Sequence, residues 1–501
     1  LKKPNILFIQ ADQLTASLLG VYGNRIAKTP HLDKLADTAI VFENAYSNFP
    51  LCAPSRFSML TGMLASRIGA WDNGAEFPSS IPTFMHYLRA AGYQTCLSGK
   101  MHFVGADQLH GFEERLTTDI YPADFNWTGD WTETTPEFAN DARSFQLAGV
   151  CTRNVQMDYD EEVCHRARQK LFDLARSDDD RPFMLLVSFT HPHDPYQCSP
   201  EHWNRYRHDD IDMPKIGDIK PADNDPYSLR LRALSGLDVY QPDDEQIRTA
   251  RHAYYGSISY LDDLIGQLLK TLQEAGFDDN TAIVFTSDHG DMLGERGLWY
   301  KKCFFEDACR VPLILRHPDH TGRRSDANVS LVDLLPTLLD IADVGRAPVD
   351  RLDGNSLLGL MSSADASWTN RVLVENLAEG TQAPAVMIRD GKEKFIHCEL
   401  DPPQLFNLAN DPNELNNLAA KTNLQNWQQQ VSDIWSLKVL GETIRLSQQR
   451  RLFLREALAI GKISHWDYVA SDQADSNCLR QGRVYNEWAY DDVLDLDLTR
   501  Q

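Results

Sequence analysis

Three short apolar runs, each closing on polar or charged residues, constrain the fold of this chain more than any other feature. Asn5–Ala11 (NILFIQA) ends at Asp12-Gln13, residues 183–189 (FMLLVSF) lead into THPHDPY, and residues 283–286 (IVFT) lead into Ser287-Asp288-His289-Gly290. Runs this short and this uniformly apolar read as strands buried on both faces. Helical patterns separate them at 30–38, 83–91, 161–176 and 258–275. Apolar strands alternating with amphipathic helices predict an α/β/α sandwich around a large mixed, mainly parallel sheet. Polar groups then gather where the strands end, the usual ligand crevice of open α/β sheets.

After about residue 365 the pattern changes. Residues 372–375, 385–389 and 394–397 read as short strands, with turns at Asp390-Gly391 and around Asp401-Pro402-Pro403. They predict an antiparallel sheet, followed by LFNLANDPNELNNLA (405–419) and a helix from 424 to about 437. The expected organisation is a main domain over 1–365 and a smaller C-terminal α+β domain over 366–445. A tail over 446–501 would be free to act as an oligomerisation arm. Residues 208–247, rich in Asp and Pro, read as a surface excursion.

A net charge of −23 over 501 residues argues against nucleic acid as a partner, since phosphate binding needs a basic face. Nine cysteines lie scattered with no C-x-x-C, so neither a zinc ribbon nor a disulfide scaffold is indicated. Dispersed thiols suit a reducing cytoplasm, the expected location. The opening LKKPNILFIQAD has no h-region or cleavage site, and no apolar stretch approaches the roughly 18 residues of a membrane span.

Residues 51–62 (LCAPSRFSMLTG) put Cys52 just before Pro54, which fits the first turn of a helix. Read alone, Cys52 is as well explained as a buried thiol. Other reactive side chains cluster at strand ends: Asp12 and Gln13, His193 in PHDP, and Asp288 with His289. Arg56 follows Cys52, Lys100 and His102 lie two apart in SGKMH, and Lys301 lies in GLWYKKCFFE. In extended backbone Lys100 and His102 project to one face. Asp12, Asp288, a Gln13 amide oxygen and the His289 imidazole can hold one divalent cation. Oxygen donors favour Ca²⁺ or Mg²⁺, and histidine leans toward Mn²⁺. Arg56, Lys100, Lys301 and the helix N-terminus supply positive charge for an anionic group. His102 and His193 titrate near neutrality and can move protons.

Cys52-Ala53-Pro54-Ser55-Arg56 resembles the nucleophile motif of type I sulfatases in the alkaline phosphatase superfamily. FIQADQLTA, WDNGAEFPSSIPTF, SGKMHFVGADQLHGFEERLTTDIYPADFNW, FTHPHDPY and SDHGDMLGERGLWYK are similar, more narrowly, to the choline sulfatases of that family. The resemblance implies that a formylglycine-generating enzyme oxidises Cys52 to formylglycine. It implies Asp12, Asp288 and His289 as metal ligands with residue 52 completing the sphere, Ca²⁺ being the expected ion. Many sulfatases carry Asp-Asp and Asp-Asn where this chain has Asp12-Gln13 and Asp288-His289, which puts Gln13 in doubt as a ligand. The implied mechanism is double displacement. A hydrate oxygen on residue 52 attacks sulfur, and the alcohol leaves with a proton from His193 or Lys301. A base, His102, then deprotonates the second hydroxyl, so that the aldehyde re-forms and sulfate is expelled.

The same resemblance implies hydrolysis of choline sulfate, with Asn73, Trp127 and Glu379 around the trimethylammonium and Trp71 as an extra wall. Each cation–π contact is worth about 0.5–2 kcal/mol. It also implies a homo-oligomer, dimer or tetramer, in which the tail YNEWAYDD (485–492) reaches a neighbouring site. Two other readings stay open. One is a phosphonate monoester or phosphodiester hydrolase using the same nucleophile and metal. The other is a non-catalytic choline-ester binding protein whose Cys52 remains a thiol.

Overall fold

The computed structural model describes residues 3–132, 143–363, 367–377, 379–460 and 493–495. The run Asn5–Ala11 is a strand at the centre of a nine-stranded sheet, flanked in parallel by Phe183–Ser188 and Thr281–Ser287. Beyond Phe183–Ser188 lie Gln94–Gly99 and the short Glu114–Arg115, both parallel. On the other side Leu313–Arg316 runs antiparallel and joins Ile40–Tyr46 and Arg323–Ser330 to the sheet. The sheet is therefore mixed and mainly parallel, as expected.

Period-2 alternation sends successive side chains of these strands to opposite faces. Leu7, Ile9, Leu185, Val187, Ile283 and Phe285 pack with Tyr254, Ile258 and Leu261 of the helix Asp244–Glu274. Ile6, Phe8, Met184, Leu186, Ala282 and Val284 pack on the other face with Phe57, Leu60, Leu334 and Leu338. Two apolar faces require helices on both sides, which is why the middles of the three central strands are apolar.

The helix Asp244–Glu274 starts earlier than the apolar pattern predicts because Asp243 caps it, paired with Gln246 in a capping box. Residues 208–247 are also less superficial than expected. They contain the helix Pro226–Leu234, whose Tyr227, Leu231 and Leu234 are buried against Phe304 and Phe305.

Four consecutive strands, Arg371–Asn376, Ala385–Asp390, Glu393–Cys398 and Gln404–Asn407, form the C-terminal antiparallel sheet. The helix Gln425–Ile434 covers it, Trp435 breaks the helix in extended conformation, and Leu437–Leu458 follows as a second helix. That second helix runs through residue 446, so the chain shows no break there. Val493–Asp495 pairs antiparallel with Gly149–Asn154, whereas residues 485–492 lie outside the described residues.

Candidate active site

Strand register fixes where the site forms. Gln10 lies beside Ser188 and Thr286, and Gly99 also lies beside Ser188. The next residues, Asp12, Lys100, Asp288 and 189–193, therefore leave the sheet at one edge and one level. The helix Cys52–Thr61 points its N-terminus into the same crevice. Its N-cap residue Leu51 offers no side-chain bond, and Asn73 Oδ1 from another loop accepts Ala53 N–H at 3.0 Å instead.

Asp12, Cys52, Asp288 and His289 converge, all buried, with their ligand atoms within 4.8 Å of one another. Cys52 Sγ stands 3.2 Å from His289 Nε2 and 3.9 Å from Asp12 Oδ1. His289 Nε2 is 3.8 Å from Asp12 Oδ1 and 3.7 Å from Asp288 Oδ1. Its Nδ1 donates to Gly290 O at 3.0 Å, which leaves the Nε2 lone pair facing the cluster. Burial pulls the His289 ring down to about 4 despite Asp288, so the ring is neutral. Burial alone would raise Asp12, but the charges of Lys100 and Arg56 hold it well below the usual carboxylate range. Two buried carboxylates and a neutral imidazole are a fitting donor set for a divalent cation. Burial and Asp12 push the Cys52 thiol up to about 11, so unmodified it is a protonated, poor nucleophile.

The positive groups divide by contact. Arg56 is fully buried and donates to Asp288 Oδ2 (2.9 Å), Asp12 Oδ2 (3.1 Å), Lys100 O (2.7 Å) and Ser188 Oγ (2.8 Å). Its expected contact with an anionic substrate gives way to a bracing role between the two carboxylates. Lys100 Nζ bonds Asp12 Oδ2 and lies 3.9 Å over the Tyr121 ring. Lys301 Nζ donates to Gln13 Oε1 and meets His193 Nε2 at 2.6 Å, while His193 Nδ1 faces Asp194 O at 2.8 Å. Neighbouring acids outweigh burial and raise Lys301, whereas burial and Lys301 hold His193 far below its ordinary value. Lys301 is thus the proton bearer of the pair and His193 the acceptor.

Gln13 stands outside the cation cluster. Its amide oxygen faces Lys301, and its Nε2 donates to Asp291 Oδ2 (2.6 Å) and Asp194 Oδ1 (3.2 Å). Lys100 and His102 both reach the Tyr121 ring, and the backbone at His102 is a left-handed turn (φ 60°) rather than extended. Asp119 Oδ2 fixes that turn by accepting Met101 and His102 N–H at 3.0 and 2.9 Å. Gln13, Tyr300 and Lys302 also have positive φ, at 61°, 63° and 75°. Such residues cost about 1–3 kcal/mol each and gather at functional sites.

The expected substrate residues part company. Trp127 is half-buried, edge-on to His102 at 5.0 Å and to Tyr121 at 5.1 Å. Neither ring nitrogen of His102 has a hydrogen-bond partner among the described residues. Asn73 has its side-chain oxygen on Ala53, and its N–H donates to Glu379 Oε1 at 3.3 Å. Glu379 Oε2 is paired with Lys302 Nζ at 3.0 Å. Trp71 belongs to an apolar cluster with Phe49, Leu51, Leu377 and Ile444. Sequence reasoning missed Tyr121, Asp119 and Asp291. All three lie in strings already singled out, but an aromatic or acid there looks no different from a packing or capping residue.

The chain is similar to known proteins over most of its length. Residues 4–344 match the sulfatase family, and 294–438 match the C-terminal region described for N-sulphoglucosamine sulphohydrolase. The chain is 43% identical to a choline-sulfatase of Rhizobium meliloti (strain 1021), over 95% of this chain and 96% of that one. It is 30% identical to an arylsulfatase of Clostridium perfringens (strain 13 / Type A), over 81% and 90% of the two chains. A crystal structure of the phosphonate monoester hydrolase of Agrobacterium radiobacter shares the fold at a TM-score of 0.68 and 24% identity, covering 89% and 96%. The chain belongs to the sulfatase family, on the alkaline phosphatase-like fold, and is a sulfuric ester hydrolase.

Proposed function

We propose that the protein hydrolyses choline sulfate to choline and sulfate, with residue 52, oxidised to formylglycine, as nucleophile. The observation that carries the reading is Cys52 itself, buried at a helix N-terminus 3.2 Å from His289 Nε2 and inside the Asp12–Asp288–His289 ring. The oxidised residue supplies a hydrated aldehyde, whose two hydroxyls suit attack on sulfur and later release of sulfate. Asp12, Asp288 and His289 would hold a divalent cation, Ca²⁺ on this mostly oxygen donor set, that lowers the proton affinity of residue 52.

Arg56 keeps the two carboxylates apart and oriented, and the positive end of the helix dipole at Cys52 favours the sulfuryl anion, although Ala53 N–H is already taken by Asn73 Oδ1. Lys100 and Lys301 add fixed charge where negative charge redistributes. Lys301 delivers a proton to the departing alcohol, with His193 Nε2 as its hydrogen-bond acceptor. His102, neutral because burial and Lys100 pull its ring down to about 3, has one unprotonated ring nitrogen to take the proton of the second hydroxyl. Trp127, with Tyr121 beside it, presents aromatic faces to the trimethylammonium. Glu379 meets that cation by sharing or exchanging its bond with Lys302.

The identity to a choline-sulfatase over nearly the whole chain supports this alcohol. A homo-oligomer is also proposed, supported by the exposed Val439, Leu446 and Phe453 at seven-residue spacing on the helix Leu437–Leu458. Cys96, Cys164, Cys198, Cys303, Cys309 and Cys398 are buried free thiols, which supports a cytoplasmic setting. The test is kcat/KM for choline sulfate against an aryl phosphonate monoester. Choline sulfate should lead by orders of magnitude, and the reverse order would replace this reading with a phosphonate hydrolase.

A further inference from the structure

The helix Leu437–Leu458 reaches the two loops that border the alcohol side of the site. Arg451 on this helix is 94% buried by its 6% exposure, and its guanidinium grips Asp72 bidentately, at 2.6 Å to Oδ1 and 2.7 Å to Oδ2. The same Nη1 donates to Thr128 Oγ1 at 3.2 Å. One turn earlier, buried Gln448 accepts Trp131 N–H at 3.2 Å. Asp72 is fully buried and precedes Asn73, the residue that caps the nucleophile helix at Ala53. Thr128 follows Trp127.

These two loops are also in direct backbone contact. A Cβ on Gly74 would stand 2.7 Å from both Trp127 C and Thr128 N, so only glycine fits. Their spacing is therefore narrow, and Arg451 bonds both. A planar guanidinium held by both carboxylate oxygens fixes angle as well as distance, which a lysine ammonium does not. The helix residues concerned lie beyond both family matches, which end at 344 and 438. The sulfuryl-transfer groups sit within the first match, whereas the brace on the alcohol side comes from outside it.

We infer that Arg451 is a positioning residue for the leaving alcohol: it clamps the Asp72 and Thr128 loops and so sets Trp127 relative to residue 52. The clamp selects for a compact alcohol and leaves the chemistry at sulfur alone. This inference rests on the reading that the alcohol lies against Trp127.

The experiment measures kcat and KM on choline sulfate and on 4-nitrophenyl sulfate for the full-length, converted enzyme, Arg451→Lys and Thr128→Val. Thr128→Val removes one hydroxyl from the clamp and leaves the buried ion pair whole, so it decides the matter if the Arg451 variant fails to fold. In Arg451→Lys, KM for choline sulfate should rise about tenfold with kcat changed less than threefold, and the aryl ester should change less than threefold in both. Thr128→Val should move the ratio of the two esters in the same direction, by a smaller factor. Parallel losses on both esters, or an unmoved ratio in both variants, would overturn the clamp. A wild-type enzyme that prefers the aryl ester would instead remove choline as the substrate, and the clamp would still be judged by whether the ratio shifts.

Discussion

At the scale of single residues, the site is an arrangement of buried charges that compensate one another. Asp12 and Asp288 are both fully buried and held apart by one guanidinium, that of Arg56. Removing one partner of such a set leaves charge without compensation, a cost of about 3–5 kcal/mol. Arg56→Ala should lose that much stability in urea unfolding of the metal-free protein, and Arg56→Lys should recover only part. An Arg56→Ala protein as stable as the parent would show that Arg56 does not carry this load. Asp12, Asp288 and His289 were legible as a group because each falls at a strand end, whereas Cys52 joined them only through its resemblance to the sulfatase nucleophile motif. Arg56 was legible as important but not in its partners, since a sequence gives no sign of which carboxylates an arginine will face. Gln13 follows the same logic: adjacency to Asp12 suggested a ligand, and a left-handed turn sends its amide to Lys301.

At the scale of elements, Glu375 ties the C-terminal sheet to its neighbours. This buried carboxylate at the end of Arg371–Asn376 accepts Ser66 N–H at 2.9 Å, the Ser66 hydroxyl, and Trp435 Nε1–H at 2.6 Å. Burial nevertheless pushes its carboxyl up to about 7 from a reference of 4.5, against the Ser66 and Trp435 bonds. The folded protein thus holds a proton that the unfolded chain releases. Stability from this group is fully present below about pH 4.5 and is lost as pH rises through 7, a few kcal/mol in all. Glu375→Gln should flatten the fall in urea-unfolding free energy between pH 5 and pH 7, and an unchanged slope would assign that fall to other groups. The elements themselves were legible wherever periodicity was long. Boundaries were not: the start of Asp244–Glu274 is set by a capping box, and the break at Trp435 is anchored by that residue's bond to Glu375 across the fold.

At the scale of the whole molecule, an acidic enzyme joins general sulfatase machinery to an extra C-terminal helix. Parallel strand register brings the ends of distant segments to one crevice, and that convergence was readable from the apolar runs alone. The docking of the helix was not, because the Asp72–Arg451 pair spans 379 positions and resembles no motif. The outer face of this helix bears Val439, Leu446 and Phe453, each well exposed at 58%, 47% and 66%. A double change, Leu446→Glu with Phe453→Glu, should lower the solution mass seen by size-exclusion chromatography with light scattering. The same mass before and after would place the subunit contact elsewhere. Residue 52 lies at the centre of the active-site charges, and its protonated thiol is a poor nucleophile for the chemistry they are set up to support. The most direct measurement is choline sulfate turnover across preparations whose fraction of oxidised Cys52 is known from peptide mass spectrometry. Activity should be proportional to that fraction and nil at zero conversion; full activity from protein carrying only the thiol would contradict a formylglycine nucleophile.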